Sequence, residues 1–418
     1  MEEVRETEEL RLSPAAEARA GHARRVAMWC GELARVFSLV PNDLRLLERA
    51  ALLHQYPRLV LNDEAIARLL NDMGLPQPER SSADQDVIRL LSAFERSRPA
   101  SDARMARLAS ILEMCDAFDE SFEAEALAPA EDGGETARNL REVVCSMLQG
   151  SCRADLLNAL DRLPVFPLVA QRALVMLADE NCSFPVVEKL VSSDAVLAGQ
   201  LVAAANSAAL GGAVAVSTIR AALVRVGLTM ARRIVLSASL RPMFASRRLQ
   251  KLWNHSLETA EMAASLARRS PHVDSDQAFL AGLVHDIGQL MLLRLPADTA
   301  SRYVRLLDAN CPPVLAETAL FGNTHAELGG EALKRWNFPE PILLGVTWHH
   351  APERVDSALA AVLYLAEECA DAPEHLPSAF RIEYSCEKSG VTYQEFLAVR
   401  PEAGALGVLR FPAQDARL

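Results

Sequence analysis

Nine histidines are spread through this sequence, and five of them (His255, His285, His325, His349 and His350) fall with Asp286 inside one stretch of fewer than 100 residues. Imidazole nitrogen and carboxylate oxygen are ligands for borderline and hard divalent cations, so the grouping points to iron, manganese or zinc. A hydrolytic metal centre needs several such ligands on rigid elements, with one position left for water. The adjacent pair His285-Asp286, at a helix end, can give two ligands to one ion. On a helix, His349 and His350 would point about 100° apart, which assigns them to different ions or different roles. The candidate set read from the residues alone is His255, His285, Asp286, His325, His349 and His350.

Each of these residues also has a plain structural reading. His285-Asp286 can be a buried hydrogen-bonded pair that locks two helices without an ion. His349-His350 can be a helix end where one ring packs and the other is solvated. His325 can cap the helix that follows it. Trp253, Trp336 and Trp348 flank the cluster and read as core, or as aromatics near a polar cleft. Asn206-Ser207 reads as a turn that satisfies backbone groups. His272 and His375 read as surface residues.

Positioning such ligands takes elements, and the pattern is helical almost throughout. Apolar residues recur at 26, 29, 30, 33, 34 and 36, and they cover most of a helix from Ala278 to Leu293. Alternating β-branched runs are scarce. Gly227 ends one apolar run, and Asn337-Phe338-Pro339 ends another before a new start at Pro341. The uncharged stretch Ala195 to Ser217 is long enough for a bilayer, but its Ala content, Gln200, Asn206 and Gly211-Gly212 favour a buried hairpin of helices. Loops are expected over 74–85 and 128–136. With 418 residues, 50% apolar and 23% charged, the chain has material for two or three globular domains and is not a disordered one. Acids outnumber bases 55 to 43, a poor balance for gripping nucleic acid phosphates. The eight cysteines form no CxxC, and the charged start MEEVRETEELRL has no signal-peptide core, so a reduced cytoplasmic setting is expected.

The sequence echoes itself. Gly21-His22 and Leu53-His54 parallel Asn254-His255 and Val284-His285-Asp286, with His-to-His spacings of 32 and 30. Asp116, on a late apolar helix, parallels Glu367. Two related helical domains in tandem account for the three matching points in one order.

His255, His285-Asp286 and a late acid resemble the HD superfamily of metal-dependent phosphohydrolases. Leu163-Pro164-Val165-Phe166-Pro167, Ser193-Asp194, Asn206-Ser207, Ile219 through Gly227, and Lys334 through Pro339 before His349-His350 look like an HDOD domain (HD-related output domain) over about 155–375. The N-terminal copy, about 15–160, is similar to an HD-GYP domain in its Gly21-His22, His54 and Cys115-Asp116-Ala117-Phe118-Asp119 segments. It departs from that pattern at Gln55, which replaces the Asp of the dyad, and it has no GYP loop, which implies a catalytically dead copy. In the second copy the resemblance implies metal ligands at His255, His285, Asp286, His325, His349 and His350, with Glu367 for the usual Asp and Asp286 as the catalytic group if the chain turns over a substrate; this copy also lacks GYP.

The resemblance implies an all-α chain of tandem HD-type domains: 1–153 degenerate, 154–376 HDOD with a helical lobe (154–247) and an HD-like lobe (250–376), and a helical tail over 377–418. It implies a bacterial signal-transduction module that binds a partner protein or a nucleotide second messenger without turnover. The alternatives are a metal-dependent phosphohydrolase acting on a cyclic dinucleotide or nucleotide, and a docking scaffold. Direct nucleic acid or membrane binding is not expected.

Overall fold

The structure, a computed structural model, describes residues 14–55, 83–94, 103–127, 135–150, 152–163, 165–178, 182–210, 214–308, 311–369, 378–399 and 405–411. Among the described residues every regular element is a helix. The chain forms two compact units, one of Met1–Ala154 with Pro296–Gly322, the other of Asp155–Leu295 with Asn323–Leu418. The stretch 296–322, expected inside the HD-like lobe, thus groups with the N-terminal residues. The tail beyond 377 groups with the second unit.

The first unit contains α1 (Pro14–Val36), α2 (Pro41–Leu53), α3 (Ala83–Phe94), α4 (Ala103–Leu127) and α5 (Glu135–Gln149). Its core follows the helical spacing read from the sequence except at Val36, which is exposed: Val26, Trp29, Cys30 and Leu33 of α1 are fully buried, and Trp29 meets Phe118 of α4 edge-on at 5.3 Å. The loop expected at 74–85 lies outside the described residues up to 82, and 83–85 open α3. The loop expected at 128–136 is likewise undescribed up to 134, and 135–136 open α5. The Gly211-Gly212 pair, Pro164, His375 and the N-terminal twelve residues also lie outside the described residues.

After α6 (Cys152–Asp161), the second unit begins with α7 (Leu168–Ala178), α8 (Phe184–Ser192), α9 (Ala195–Ala205), α10 (Ile219–Val226) and α11 (Leu228–Leu240). The uncharged stretch from Ala195 is an 11-residue helix followed by a turn that Asn206 holds, its amide exchanging two hydrogen bonds with the Val216 backbone at 2.7 and 2.9 Å. Among the described residues no helix is long and apolar enough to cross a membrane. Gly227, at φ 77°, both ends α10 and precedes α11, as its place after an apolar run predicts.

The remaining helices are α12 (Gln250–Ala267), α13 (Ser275–Val284), α14 (Gln289–Leu292), α15 (Ala297–Asp308), α16 (Pro313–Phe321), α17 (His325–Arg335), α18 (Glu340–Thr347), α19 (Ala358–Glu368), α20 (Ala379–Ser389) and α21 (Tyr393–Leu397). Of these, α15 and α16 belong to the first unit. The sequence suggested one helix through most of 278–293, but the chain leaves the helix after Val284 and re-enters it at Gln289. The break releases His285 and Asp286 from the helical ladder.

Candidate metal centre

Close packing of helices and of one turn sets the site. α12 and α13 approach so tightly that a Cβ on Gly282 would lie 2.7 Å from the Ala260 Cα. At the turn after α13, a Cβ on Gly288 would lie 1.9 Å from the His325 carbonyl oxygen, so the turn sits directly on the start of α17. Caps fix where the ligand-bearing helices begin. Asp274 accepts from the Asp276 and Gln277 amides to start α13, and Ser357 starts α19. Thr324 and Glu327 form a capping box at the start of α17. The cap of α17 is therefore Thr324. His325 is its first helical residue, and its ring turns inward.

All seven expected ligands meet. His255 comes from α12, His285 and Asp286 from the turn after α13, His325 from α17, His349 and His350 from the turn after α18, and Glu367 from α19. They form two groups in which the ligand atoms lie within 4.8 Å of one another: His255, His285 and Glu367, and Asp286, His325, His349 and His350. Asp286 faces both. Its Oδ2 is 3.1 Å from His285 Nε2 and 3.6 Å from His255 Nε2, and its Oδ1 is 3.2 Å from His325 Nε2. Glu367 Oε2 is 3.3 Å from His255 Nε2 and 3.2 Å from His285 Nε2.

His349 and His350, expected to serve different ions or different roles, lie side by side. Both rings sit in the Asp286–His325 group, with centroids 3.9 Å apart. The reason is local. α18 ends at Thr347, so the 100° helical offset no longer applies to the two residues after it.

The spacing and the missing partners fit a cation. Two atoms each about 2.1 Å from one ion lie roughly 3.0 Å apart at a right angle and about 3.4 Å apart at the tetrahedral angle. Four of the five carboxylate–imidazole distances just given, 3.1–3.3 Å, fall in that range, and the His255–Asp286 distance of 3.6 Å lies just above it. The buried atoms His255 Nε2, His285 Nε2, His349 Nε2, both Asp286 oxygens and both Glu367 oxygens have no hydrogen-bond partner. Leaving so many buried polar atoms unsatisfied is costly unless something charged binds them. The imidazoles are also oriented from behind. His285 Nδ1 donates to the Gly282 carbonyl at 2.7 Å and His349 Nδ1 to the Val346 carbonyl at 2.6 Å, which leaves each Nε2 lone pair facing inward.

Electrostatics agree. Burial would lower His255, but the Glu367 carboxylate prevails and raises it to about 9. Burial likewise opposes charge on His285, and Asp286 and Glu367 carry it well above its ordinary value. Burial would raise the two carboxyls, yet the facing imidazoles hold both well below the usual range. His349 is pushed down to about 3 by burial and by His285 and His325. With no cation bound, protons on His255 and His285 supply the positive charge, and a divalent ion would displace them.

The N-terminal unit repeats the smaller group. His22 Nε2 is 2.9 Å from Asp116 Oδ1, His54 Nε2 is 3.1 Å from the same oxygen, and the two nitrogens are 3.3 Å apart. His54 Nδ1 donates to the Ala51 carbonyl, the counterpart of the His285–Gly282 bond. Gln55, in the position of Asp286, is exposed, and among the described residues no carboxylate other than Asp116 and Asp119 is grouped with His22 and His54 as Asp286 is with the second copy's histidines. Asp119, to which the sequence reading gave no role, is fully buried and accepts from His22 Nδ1, Arg25 and Trp29 Nε1. Its signal was its place one helical turn after Asp116. His272 is exposed, as expected.

Residues 163–352 match the HDOD domain family. A protein of Treponema pallidum (strain Nichols) of uncharacterized function is 29% identical over 234 residues, covering 50% of this chain. The chain spans only 42% of that protein's length. An HDOD domain protein of unknown function from Geobacter sulfurreducens is 26% identical, covers 62% of this chain and 88% of its own, and superposes with a TM-score of 0.49. A protein of Marinobacter aquaeolei VT8, described as a signal-transduction candidate, shares the fold at 20% identity and a TM-score of 0.50, covering 62% of this chain and 65% of its own.

Proposed function

We propose that this chain, whose residues 163–352 are an HDOD domain, is a signalling module that holds divalent ions in its C-terminal lobe and relays a conformational state without turning over a substrate. The carrying observation is the set of buried, partnerless ligand atoms that converge around Asp286. His255, His285, Asp286 and Glu367 would hold one ion, and Asp286, His325, His349 and His350 a second, with iron, manganese or zinc suiting the nitrogen-and-carboxylate set. Burial favours a regulatory role. Six of the seven ligands are at most 5% exposed, and only His255 is partly open. The module's ligand would be a partner protein or a nucleotide second messenger. The N-terminal copy, without a counterpart of Asp286, would be catalytically inert.

A second reading, a phosphohydrolase, is favoured by one feature: Asp286 turns one oxygen to each ligand group, as a carboxylate shared by two ions does. Ions so held would act as Lewis acids toward a phosphoryl oxygen. In either reading the chain's own part is to orient the imidazoles from the Gly282 and Val346 carbonyls and to keep both carboxylates ionised.

The test is the metal content of protein purified without chelators, for wild type, Asp286→Asn and Glu367→Gln. The expected result is about two equivalents in wild type, as a two-ion site requires, with loss in both variants. Hydrolysis of bis(p-nitrophenyl) phosphate and of cyclic dinucleotides should stay at background. Turnover that disappears in Asp286→Asn would establish the phosphohydrolase. Protein that stays empty after reconstitution with iron, manganese and zinc would end the metal reading and leave a scaffold.

A further inference from the structure

The helical lobe differs from the rest of the molecule in two ways. Of the sixteen large apolar side chains exposed among the described residues, eight lie between Val165 and Val224. Residues 163–247 also carry eight Arg or Lys against four Asp or Glu, the reverse of the chain's overall balance. Scattered apolar residues are ordinary, but a contiguous set beside charge of one sign marks a binding surface.

The two features coincide on α7 and α8. On α7, Leu168, Arg172 and Val175 recur at helical spacing along one exposed face, and Leu168 and Val175 are 62% and 72% exposed. On α8, Val186 and Lys189 share a face in the same way. Between the helices runs a groove of about 380 Å³ lined by Val175, Met176, Val186 and Leu190, with Arg172 and Lys189 also on its lining. No acid lines it. Among the described residues neither cation has an ion-pair or hydrogen-bond partner. The nearby Arg220, in contrast, is paired with Glu188 at 3.2 Å.

We infer that the α7–α8 groove is the docking site for an acidic amphipathic helix of a partner protein, its apolar stripe lying on Val175 and Val186 and its carboxylates meeting Arg172 and Lys189. A helix of about three turns matches the length of α7. Laying an apolar helix face into a groove is a recurrent recognition mode, and charges at the rim set which partner is accepted. A nucleic acid strand fits less well, since an apolar floor separates the two cations where phosphate contacts need a basic track. The inference gives the signalling reading its partner and rests on that reading, but it uses no residue of the metal centre.

The probe is a 20-residue helical peptide with a Leu stripe and Glu on its flanks, beside a control with Lys for Glu, titrated into the full chain by fluorescence anisotropy. The Glu peptide should bind, and binding should fall at least tenfold in Val175→Asp and in Arg172→Glu/Lys189→Glu. The charge-reversed double variant should take the Lys peptide instead. Equal binding of the two peptides by wild type, no binding of either, or binding untouched by the variants would overturn the inference. So would tighter binding of a 20-nucleotide single strand that competes with the peptide. Sedimentation run alongside covers a second copy as occupant: a dimer that Val175→Asp dissolves would replace the partner. Metal content of the same variants separates the two readings, since it should equal wild type whether or not the peptide binds.

Discussion

At the scale of single residues, the candidate cluster was legible because His, Asp and Glu on apolar helices are rare and expensive to bury. What could not be read was orientation. His349 and His350 share a group because the helix stops just before them, and Asp119 gained its role only once α4 was seen to turn it toward Arg25 and His22. This N-terminal cluster makes a pH prediction for chelator-treated protein. Burial opposes charge on His22, but Asp116 and Asp119 raise it to about 9, so the folded state favours the protonated ring. That stabilisation is complete below the ordinary value of 6.5 and is lost as the pH climbs through about 9. Asp116 is depressed despite its burial, chiefly by hydrogen bonds from His22 and His54, so its contribution holds above its ordinary 3.8 and fades in stronger acid. Thermal melts of wild type and His22→Ala should therefore differ most near pH 5 to 6 and converge toward pH 10. A constant gap across that range would contradict the assignment.

At the scale of elements, helix content and many of the boundaries followed from periodicity, Gly227 and the Asn337-Phe338-Pro339 stop among them. The break inside 278–293 did not, because an apolar run looks the same whether a helix continues or turns upon another. Its cause is backbone proximity. Gly288 sits where any Cβ would strike the start of α17. Gly288→Ala should cost about 1–3 kcal/mol, as overpacking does, and should release the ion of the Asp286, His325, His349 and His350 group first. Gly199→Ala on α9, where a Cβ meets nothing within 4 Å, should instead be neutral or stabilising by up to about 1 kcal/mol. Urea unfolding and metal analysis of both variants would check this. Equal effects at the two positions would argue against the close approach.

At the scale of the whole molecule, tandem helical units were expected, and the internal echo located their equivalent residues. The excursion of 296–322 into the first unit was not foreseeable, since an amphipathic helix shows that it covers an apolar face but not whose. The excursion is tied down by Arg302, which pairs with the buried Glu32 at 2.8 Å and donates to the Leu148 carbonyl at 3.2 Å, and by α16 packing on α5. Arg302→Ala should destabilise the first unit by about 1–3 kcal/mol, because the buried Glu32 then keeps only Arg35 at 3.4 Å and Arg305 at 3.8 Å. Adding Glu32→Gln should recover part of that in equilibrium unfolding, and an additive double variant would show that the pair is not coupled. The same excursion bears on biosynthesis. Once residue 154 has been made, the ribosome must add 168 more before the first unit has its last helix. At about 5–20 residues per second that is a delay of roughly ten to thirty seconds. Through it, the face of α5 that α16 will cover stays open to chaperones and proteases. Synonymous codons that slow translation between 155 and 322 should then lower the yield of folded protein without altering a single side chain.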